Sequence, residues 1–295
     1  MRYARESRNA YVLILPALLI VAMFTLYPTI YASILSLYDC LPGKACVFVG
    51  FSKYMQLFSS GLFWHSLKVT LIFVFASVSA QIIIGTLIAL LIYYLPKGSN
   101  ILKTLLIIPW ALPGVISAAM WRTILDYDYG LINGVLRALN VCSPDEGIKW
   151  LLDPNLALLS LILIDIWRLS PFVALLVLAG LVAIPKSYID AAEIDGASTI
   201  QKFIHIMLPF LKPIYKSIFI IRSIFAFQAL DIVFVTTKGG PGTATYLLPY
   251  YMYNEAFAFL DFGGGAALAV ILALLIVITI CIFYYIVFRT LVRTP

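Results

Sequence analysis

Six apolar runs, each longer than the ~20 residues a helix needs to cross a bilayer's hydrocarbon core, occupy most of this chain. They read as transmembrane helices at about 11–37, 67–94, 101–125, 156–183, 214–235 and 264–288. In lipid a backbone finds no water to bond, so each run is expected to be a helix, which satisfies its own N–H and C=O groups. With 63% of its 295 residues hydrophobic and 12% charged, the chain does not have the composition of a soluble globular domain. The expected fold class is an all-α polytopic membrane protein with one transmembrane domain, 1–295. The first run follows Arg2, Arg5 and Arg8 and shows no convincing cleavage site before its end. It is expected to be an uncleaved span, since a signal-peptide core is shorter.

An even number of spans puts both termini on one side, and the positive charges say which. Arg2, Arg5, Arg8, Lys97, Lys103, Lys186, Lys202, Lys212, Lys216, Arg289 and Arg293 lie in or beside the termini, the loop between spans two and three, and the loop between spans four and five. Those segments are expected in the cytoplasm by the positive-inside rule. The opposite loops hold Lys44, Lys53, Arg137, Lys149 and Lys238 among Asp126, Asp128, Asp145, Glu146, Asp153, Glu255 and Asp261, and are expected outside. The net charge of +6 is scattered over short loops, not gathered on one face, so nucleic acid is not an expected partner. A multi-pass protein of the cell membrane with cytoplasmic termini is the expectation.

One polar stretch interrupts the apolar pattern: Tyr188 to Pro213, YIDAAEIDGASTIQKFIHIMLPFLKP. Ser187 with Asp190, and Ser198 with Gln201, carry the spacing of helix-start capping boxes. Two short helices are expected, separated near Gly196, where glycine permits a tight turn. The stretch resembles the EAA loop of permease subunits in binding-protein-dependent ABC importers. Asp190, Ala191, Ala192, Asp195, Gly196, Ala197, Phe203, Ile206, Leu208, Pro209 and Pro213 fall on that pattern. Asp190 replaces the family's leading Glu, keeping the charge on a shorter arm. Without the resemblance, the same residues describe an amphipathic helix at the membrane interface.

Two further elements share this resemblance. Gly130, Leu131, Ile132 and Asn133, after the third run, match a recurring element of the family, and Gly239, Gly240 and Pro241 match the GGP element of its carbohydrate-type members. Tyr246 to Phe259 is an aromatic segment suited to the outer interface, or the start of the last span. The resemblance implies a type I ABC importer permease fold with 184–213 as cytoplasmic coupling loop. It also implies half of a pathway for a mono-, di- or oligosaccharide of trehalose or maltose type. The implied partners are a second homologous permease, two cytoplasmic ATPase subunits, an extracellular substrate-binding protein, the sugar and membrane lipid. Asp190, Ala191, Ala192, Asp195, Gly196 and Ala197 would seat the coupling helix on the ATPase.

No GxxxxGK[ST], HExxH or GxSxG occurs, and His65 and His205 stand apart. Catalysis, a cofactor or a metal in this chain is therefore not expected; ATP and magnesium would be bound by the ATPase partners. If their loop is extracellular, Cys40 and Cys46 are as readily bridged as free, and otherwise they are free, with Cys142 and Cys281. The alternative reading is a stand-alone secondary carrier or channel, in which buried charges relay ions.

Charge within the spans is the remaining signal, because each charge at a bilayer's centre costs ~2.5 to 3.5 kcal/mol on insertion scales. Asp165 and Arg168 share a face of the fourth run, and Arg222 lies near the middle of the fifth. Phe172, Phe225, Gln228 and Asp231 follow at helical spacing, and Gln81, Trp121 and Arg122 lie on the second and third runs. Carboxylates, guanidinium groups and aromatic rings suit a sugar's hydroxyls and apolar faces. Asp165, Arg168, Phe172, Arg222, Phe225 and Gln228 are thus candidates for the substrate pathway. The other reading of the charges is a structural ion pair within the bundle. Pro109 and Pro113 are expected to break the third run, and Pro171 the fourth.

Overall fold

A computed structural model describes residues 13–43, 45–95, 99–143 and 146–285. Parts of the first and last expected spans (11–12 and 286–288) lie outside the described residues. So do Arg2, Arg5, Arg8, Lys44, Lys97, Asp145, Arg289 and Arg293.

The described chain is helical apart from one short hairpin and its turns. In order come α1 (Leu13–Leu35), the hairpin strands β1 (Tyr38–Asp39) and β2 (Val47–Phe48), α2 (Ser52–Ser59) and α3 (Gly61–Tyr94). Next are α4 (Ser99–Ala111), α5 (Gly114–Ile124), α6 (Leu131–Ala138), α7 (Pro154–Val182) and α8 (Lys186–Ile194). The series ends with α9 (Thr199–Phe227), α10 (Leu230–Thr236), α11 (Leu248–Tyr253) and α12 (Phe262–Phe283). Among the described residues α1, α3, α7, α9 and α12 are long and apolar enough to cross a membrane, and α4 with α5 makes a sixth if the bent pair is one span.

Prolines act differently from expectation. The third run is two helices bent by 93°. Pro109 sits inside α4, whereas the break falls at Leu112 and Pro113. A residue before proline is pushed out of the α region, and Pro113, in an extended conformation, accepts Ser117 N–H to start α5. Pro171, by contrast, does not break the fourth run: α7 is continuous across it. A proline removes one helical hydrogen bond, here the one that would reach the Trp167 carbonyl. Val173 and Ala174 are fully packed immediately beyond it, and neighbouring helices can carry that cost.

The fifth run differs most. It starts at Thr199, inside the stretch expected to be loop, and ends at Phe227, with Gln228 and Ala229 forming a break before α10. The second run likewise begins earlier than expected, at Gly61.

The chain divides into two units. The first holds residues up to Phe63 with Tyr251–Leu274. In it a Cys40–Cys46 disulfide staples the hairpin. The Lys53 ammonium lies 2.7 Å from Asp39 Oδ1 and 2.8 Å from Asp261 Oδ2, bringing together residues 208 positions apart. Burial alone would lower the Lys53 pKa, but the two carboxylates outweigh it and raise it. The second unit comprises Trp64–Tyr250 and the residues from Leu275. Its core is aliphatic: Ala89 and Ile92 of α3, Val173, Val177 and Leu181 of α7, and Met207, Leu211 and Ile218 of α9. The Thr86 and Tyr215 hydroxyls, 2.9 Å apart, link α3 to α9 on the same side.

Candidate functional site

Four charges and an amide meet inside the second unit. Gln81 (α3) donates to the Asp165 side chain at 2.8 Å and to its backbone carbonyl at 3.0 Å. Arg222 (α9) donates through Nε to Gln81 Oε1 at 2.7 Å and through Nη2 to Asp165 Oδ2 at 3.3 Å. Arg168, one turn along α7 from Asp165, lies 3.5 Å from its other oxygen and donates to Asp231 of α10 at 2.8 Å. Arg222 and Gln81 are completely buried and Asp165 is 1% exposed.

The arithmetic of charge explains how this cluster can exist in an apolar bundle. Two carboxylates face two guanidinium groups, so no net charge is buried, and the shared hydrogen bonds offset part of the desolvation. Two donors are left over: Arg168 Nε and Arg222 Nη1 have no hydrogen-bond partner among the described residues. The cluster also sits where two helices break. Asp231 lies in the first turn of α10, just past the Gln228 break, and Gly114 opens α5, just past the Pro113 break. A Cβ on Gly114 would overlap Asp231 and Arg168, so only glycine leaves room for the pair.

The sequence candidates separate here. Asp165, Arg168 and Arg222 come together, joined by Gln81 and Asp231. Phe172 instead stacks on Trp110 with ring centroids 5.6 Å apart, Phe225 is 57% exposed, and Gln228 is exposed at the break. Trp121 meets Trp167 edge to face at 5.4 Å, and Arg122 reaches the Val235 carbonyl at 3.3 Å. Gly114 carried no signal in the sequence beyond its place after proline.

The second candidate is the loop between α7 and α9. Its first helix, α8, is N-capped by Pro185 with no side-chain bond, so Ser187 and Asp190 do not form the expected box. Proline places the helix start two residues too early for Ser187 to cap it. The second box is present: Ser198 accepts from Gln201 N–H while the Gln201 side chain accepts from Ser198 N–H. It opens the long α9 where a short helix was expected. Between them the chain closes in a Schellman pattern, Gly196 N–H to Glu193 O at 3.1 Å and Ala197 N–H to Ala192 O at 2.9 Å, with Gly196 at φ +76°. Lys202 binds Glu193 at 2.7 Å, tying α8 to the first turn of α9.

Asp190, Ala191 and Asp195 are exposed, and Ile194 is 87% exposed. A cavity of about 350 Å³ opens beside them, lined by Ala192, Asp195, Gly196, Ala197, Lys202 and His205 among others. Among the described residues no group of three or more His, Cys, Asp and Glu is placed to hold a metal ion.

Comparison with known proteins places this geometry. Residues 81–293 match the family described as binding-protein-dependent transport system inner membrane component. The chain is 40% identical over 273 residues to the trehalose/maltose transport system permease protein MalF of Thermococcus litoralis, covering 90% of this chain and 89% of that protein. It is 36% identical over 266 residues to the sulfoquinovosyl glycerol transport system permease protein SmoG of Agrobacterium fabrum, covering 89% and 85%. It is 34% identical over 266 residues to the sn-glycerol-3-phosphate transport system permease protein UgpA of Yersinia pestis, covering 89% and 88%. A chain of a bacterial alginate ABC transporter, solved in complex with its pentasaccharide-bound periplasmic protein, superposes with a TM-score of 0.82 at 20% identity over 100% of this chain and 98% of that one, a likeness of fold. This chain belongs to the family of inner membrane components of binding-protein-dependent transport systems and has the type I ABC importer permease fold.

Proposed function

We propose that this chain forms half of the translocation pathway of an ATP-driven importer for a sugar of trehalose or maltose type. In this reading it pairs with a second permease subunit and receives cargo from an extracellular binding protein. Two cytoplasmic ATPase subunits bind ATP and magnesium, and this chain carries no catalysis or cofactor of its own. The 40% identity to a trehalose/maltose permease supports the cargo class.

The observation that carries the coupling role is the construction of α8. A short exposed helix is useful as a lever only if its base is stiff, and α8 has such a base. The Gly196 turn fixes its exit angle, and the Glu193–Lys202 pair joins it to α9. Asp190, Ala191 and Ile194 remain available to a partner. A push on α8 would pass along α9 to Arg222, and from Arg222 through Asp165 to Arg168 and Asp231. The charged cluster is the proposed cargo-facing part of the pathway, with Phe172 on α7, Phe225 on α9 and Gln228 at the break as separate candidate contacts along it.

The test is reconstitution. The chain with its partner permease, ATPase and binding protein should take up trehalose or maltose into liposomes when ATP is supplied. Uptake by this chain alone, driven by an ion gradient, would replace this reading with a secondary carrier.

A further inference from the structure

A second cavity lies at the far ends of the two half-helices that the charged cluster holds together. Helices α5 and α10 begin at the Gly114–Asp231 contact and run to Arg122 and Val235, which bond at 3.3 Å. Just beyond that bond is a cavity of about 320 Å³. That volume falls at the lower end of small-ligand sites, roughly 300 to 1,000 Å³. By the charge pattern of the loops, it opens on the outside of the membrane.

Both walls are braced from behind. On one side Asn133, fully buried, donates to the Asp126, Tyr127 and Ile148 carbonyls, while its Oδ1 accepts from Ile148 N–H and Trp150 Nε1. That fixes the Trp150 indole at the cavity. Arg137 binds the Tyr127 and Asp128 carbonyls at 3.0 and 2.8 Å. On the other side the Thr237 and Thr245 hydroxyls meet at 2.7 Å, and Thr245 donates to the Gly240 carbonyl at 2.7 Å.

The groups facing the space are of the kind that grips a polyol. Arg122 offers donors, the Asp126 and Asp128 carboxylates offer acceptors, and Trp150 and Tyr127 offer ring surface. Asp126 spends one oxygen on the Asp128 and Tyr129 amides; the Asp128 carboxylate is exposed. Two carboxylates outnumber one guanidinium, and the nearby Lys149 ammonium lies over the Tyr127 ring, 5.9 Å from its centroid. Charges so nearly balanced give an anion no advantage.

The geometry points to an entry subsite in this cavity for one ring of a neutral, polyhydroxylated cargo, held by Asp128, Arg122 and Trp150 before it reaches the buried cluster. The assignment rests on the importer reading for its biological meaning, but the binding itself does not depend on ATP or on transport.

The assembled transporter in nanodiscs, without its binding protein, tests it. Saturation-transfer NMR with trehalose and maltose should show contact, and sn-glycerol 3-phosphate should bind at least ten-fold more weakly. Asp128→Asn and Arg122→Gln should each weaken trehalose at least ten-fold. As a second readout, Leu152→Cys at the cavity wall, in a Cys142→Ala background, should be labelled by a thiol reagent more slowly when trehalose is present. Unchanged affinity in Asp128→Asn, or labelling of Leu152→Cys that trehalose does not slow, overturns the subsite. ATP-driven uptake with the binding protein is measured in parallel: its absence in the native transporter counts against the importer reading alone, whereas uptake without contact at this cavity removes the subsite alone.

Discussion

Gly114 and Asp231 touch across two broken spans, and the space a methyl group would need at Gly114 is filled by the Asp231 carboxylate and the Arg168 guanidinium. Helix breaks in a membrane free backbone groups and cost stability unless something packs against them. Here the ion pair sits at both breaks, so one contact holds the starts of α5 and α10 in place.

Gly114→Ala should therefore separate Arg168 from Asp231 and cost about 1 to 3 kcal/mol through overpacking. Thermal unfolding in detergent reads that loss. In a double-mutant cycle with Asp231→Ala, the two changes should be clearly non-additive, because both act on one contact. Additive effects would mean that the overlap is absorbed elsewhere.

Arg222→Ala should be more damaging, about 3 to 5 kcal/mol, since it leaves the Asp165 carboxylate buried beside only the more distant Arg168. Asp165→Leu with Arg222→Met should restore most of the stability, because removing both partners strands no charge. Uptake in that stable double variant separates the two roles of the cluster. Loss of trehalose uptake in a folded, assembled complex supports cargo contact; retained uptake reduces the cluster to architecture.

Gly196→Val should act locally. A β-branched residue at φ +76° pays roughly 1 to 2 kcal/mol, so the turn after α8 should re-form differently while the spans remain inserted. Uptake per assembled complex should fall several-fold, and Gly196→Asn should retain more of it, since Asn tolerates the left-handed region. Equal uptake in the Val variant and the native chain would dissociate α8 from coupling.

Asn133→Ala removes the amide from five hydrogen bonds and takes this donor from the part-buried Asp126 and Ile148 carbonyls, at up to about 1 to 3 kcal/mol each, while the Tyr127 carbonyl keeps Arg137. The segment from Asp126 to Trp150 should become sensitive to protease at concentrations that leave the native protein intact. Asn133→Asp keeps the two accepted bonds but buries a carboxylate with one oxygen facing three carbonyls, so it should be at least as damaging at neutral pH.

The long apolar runs made the spans readable, because hydrophobic length is a property of the local sequence. Gly196 and the Ser198 box were readable for the same reason: capping is decided within a few residues. Helix continuity was not. Pro171 and Pro113 look alike in sequence, and whether a proline breaks a helix depends on what packs around it. The charged cluster was legible in part. Asp165 and Arg168 share a face by spacing, whereas the route from Gln81 to Arg222, 141 residues apart, is set by the packing of α3 against α7 and α9. The Lys53 pair with Asp261 left no local trace at all, and Phe172 and Phe225 show that helical spacing predicts a face but not what that face meets.

The last prediction concerns Glu255, in the turn after α11. Burial pushes its pKa up, the neighbouring Asp261 charge adds to this, and Lys53 with a hydrogen bond from Tyr251 only partly opposes it, so the net shift is upward from 4.5. A carboxyl that holds its proton more tightly when folded stabilises the fold fully below the unfolded pKa, about 4.3, and that stabilisation fades as pH rises through the folded pKa. Lys53 does not contribute in this window, because its own raised pKa lies above 10.5 and any loss there begins only in strong alkali. Glu255→Gln keeps an acceptor for Tyr251 and removes the titration. Its unfolding temperature should therefore change less between pH 4.5 and pH 7.5 than that of the native chain, and should exceed the native value at pH 7.5. Parallel curves for the two proteins would show that Glu255 ionises in the folded state as freely as in water.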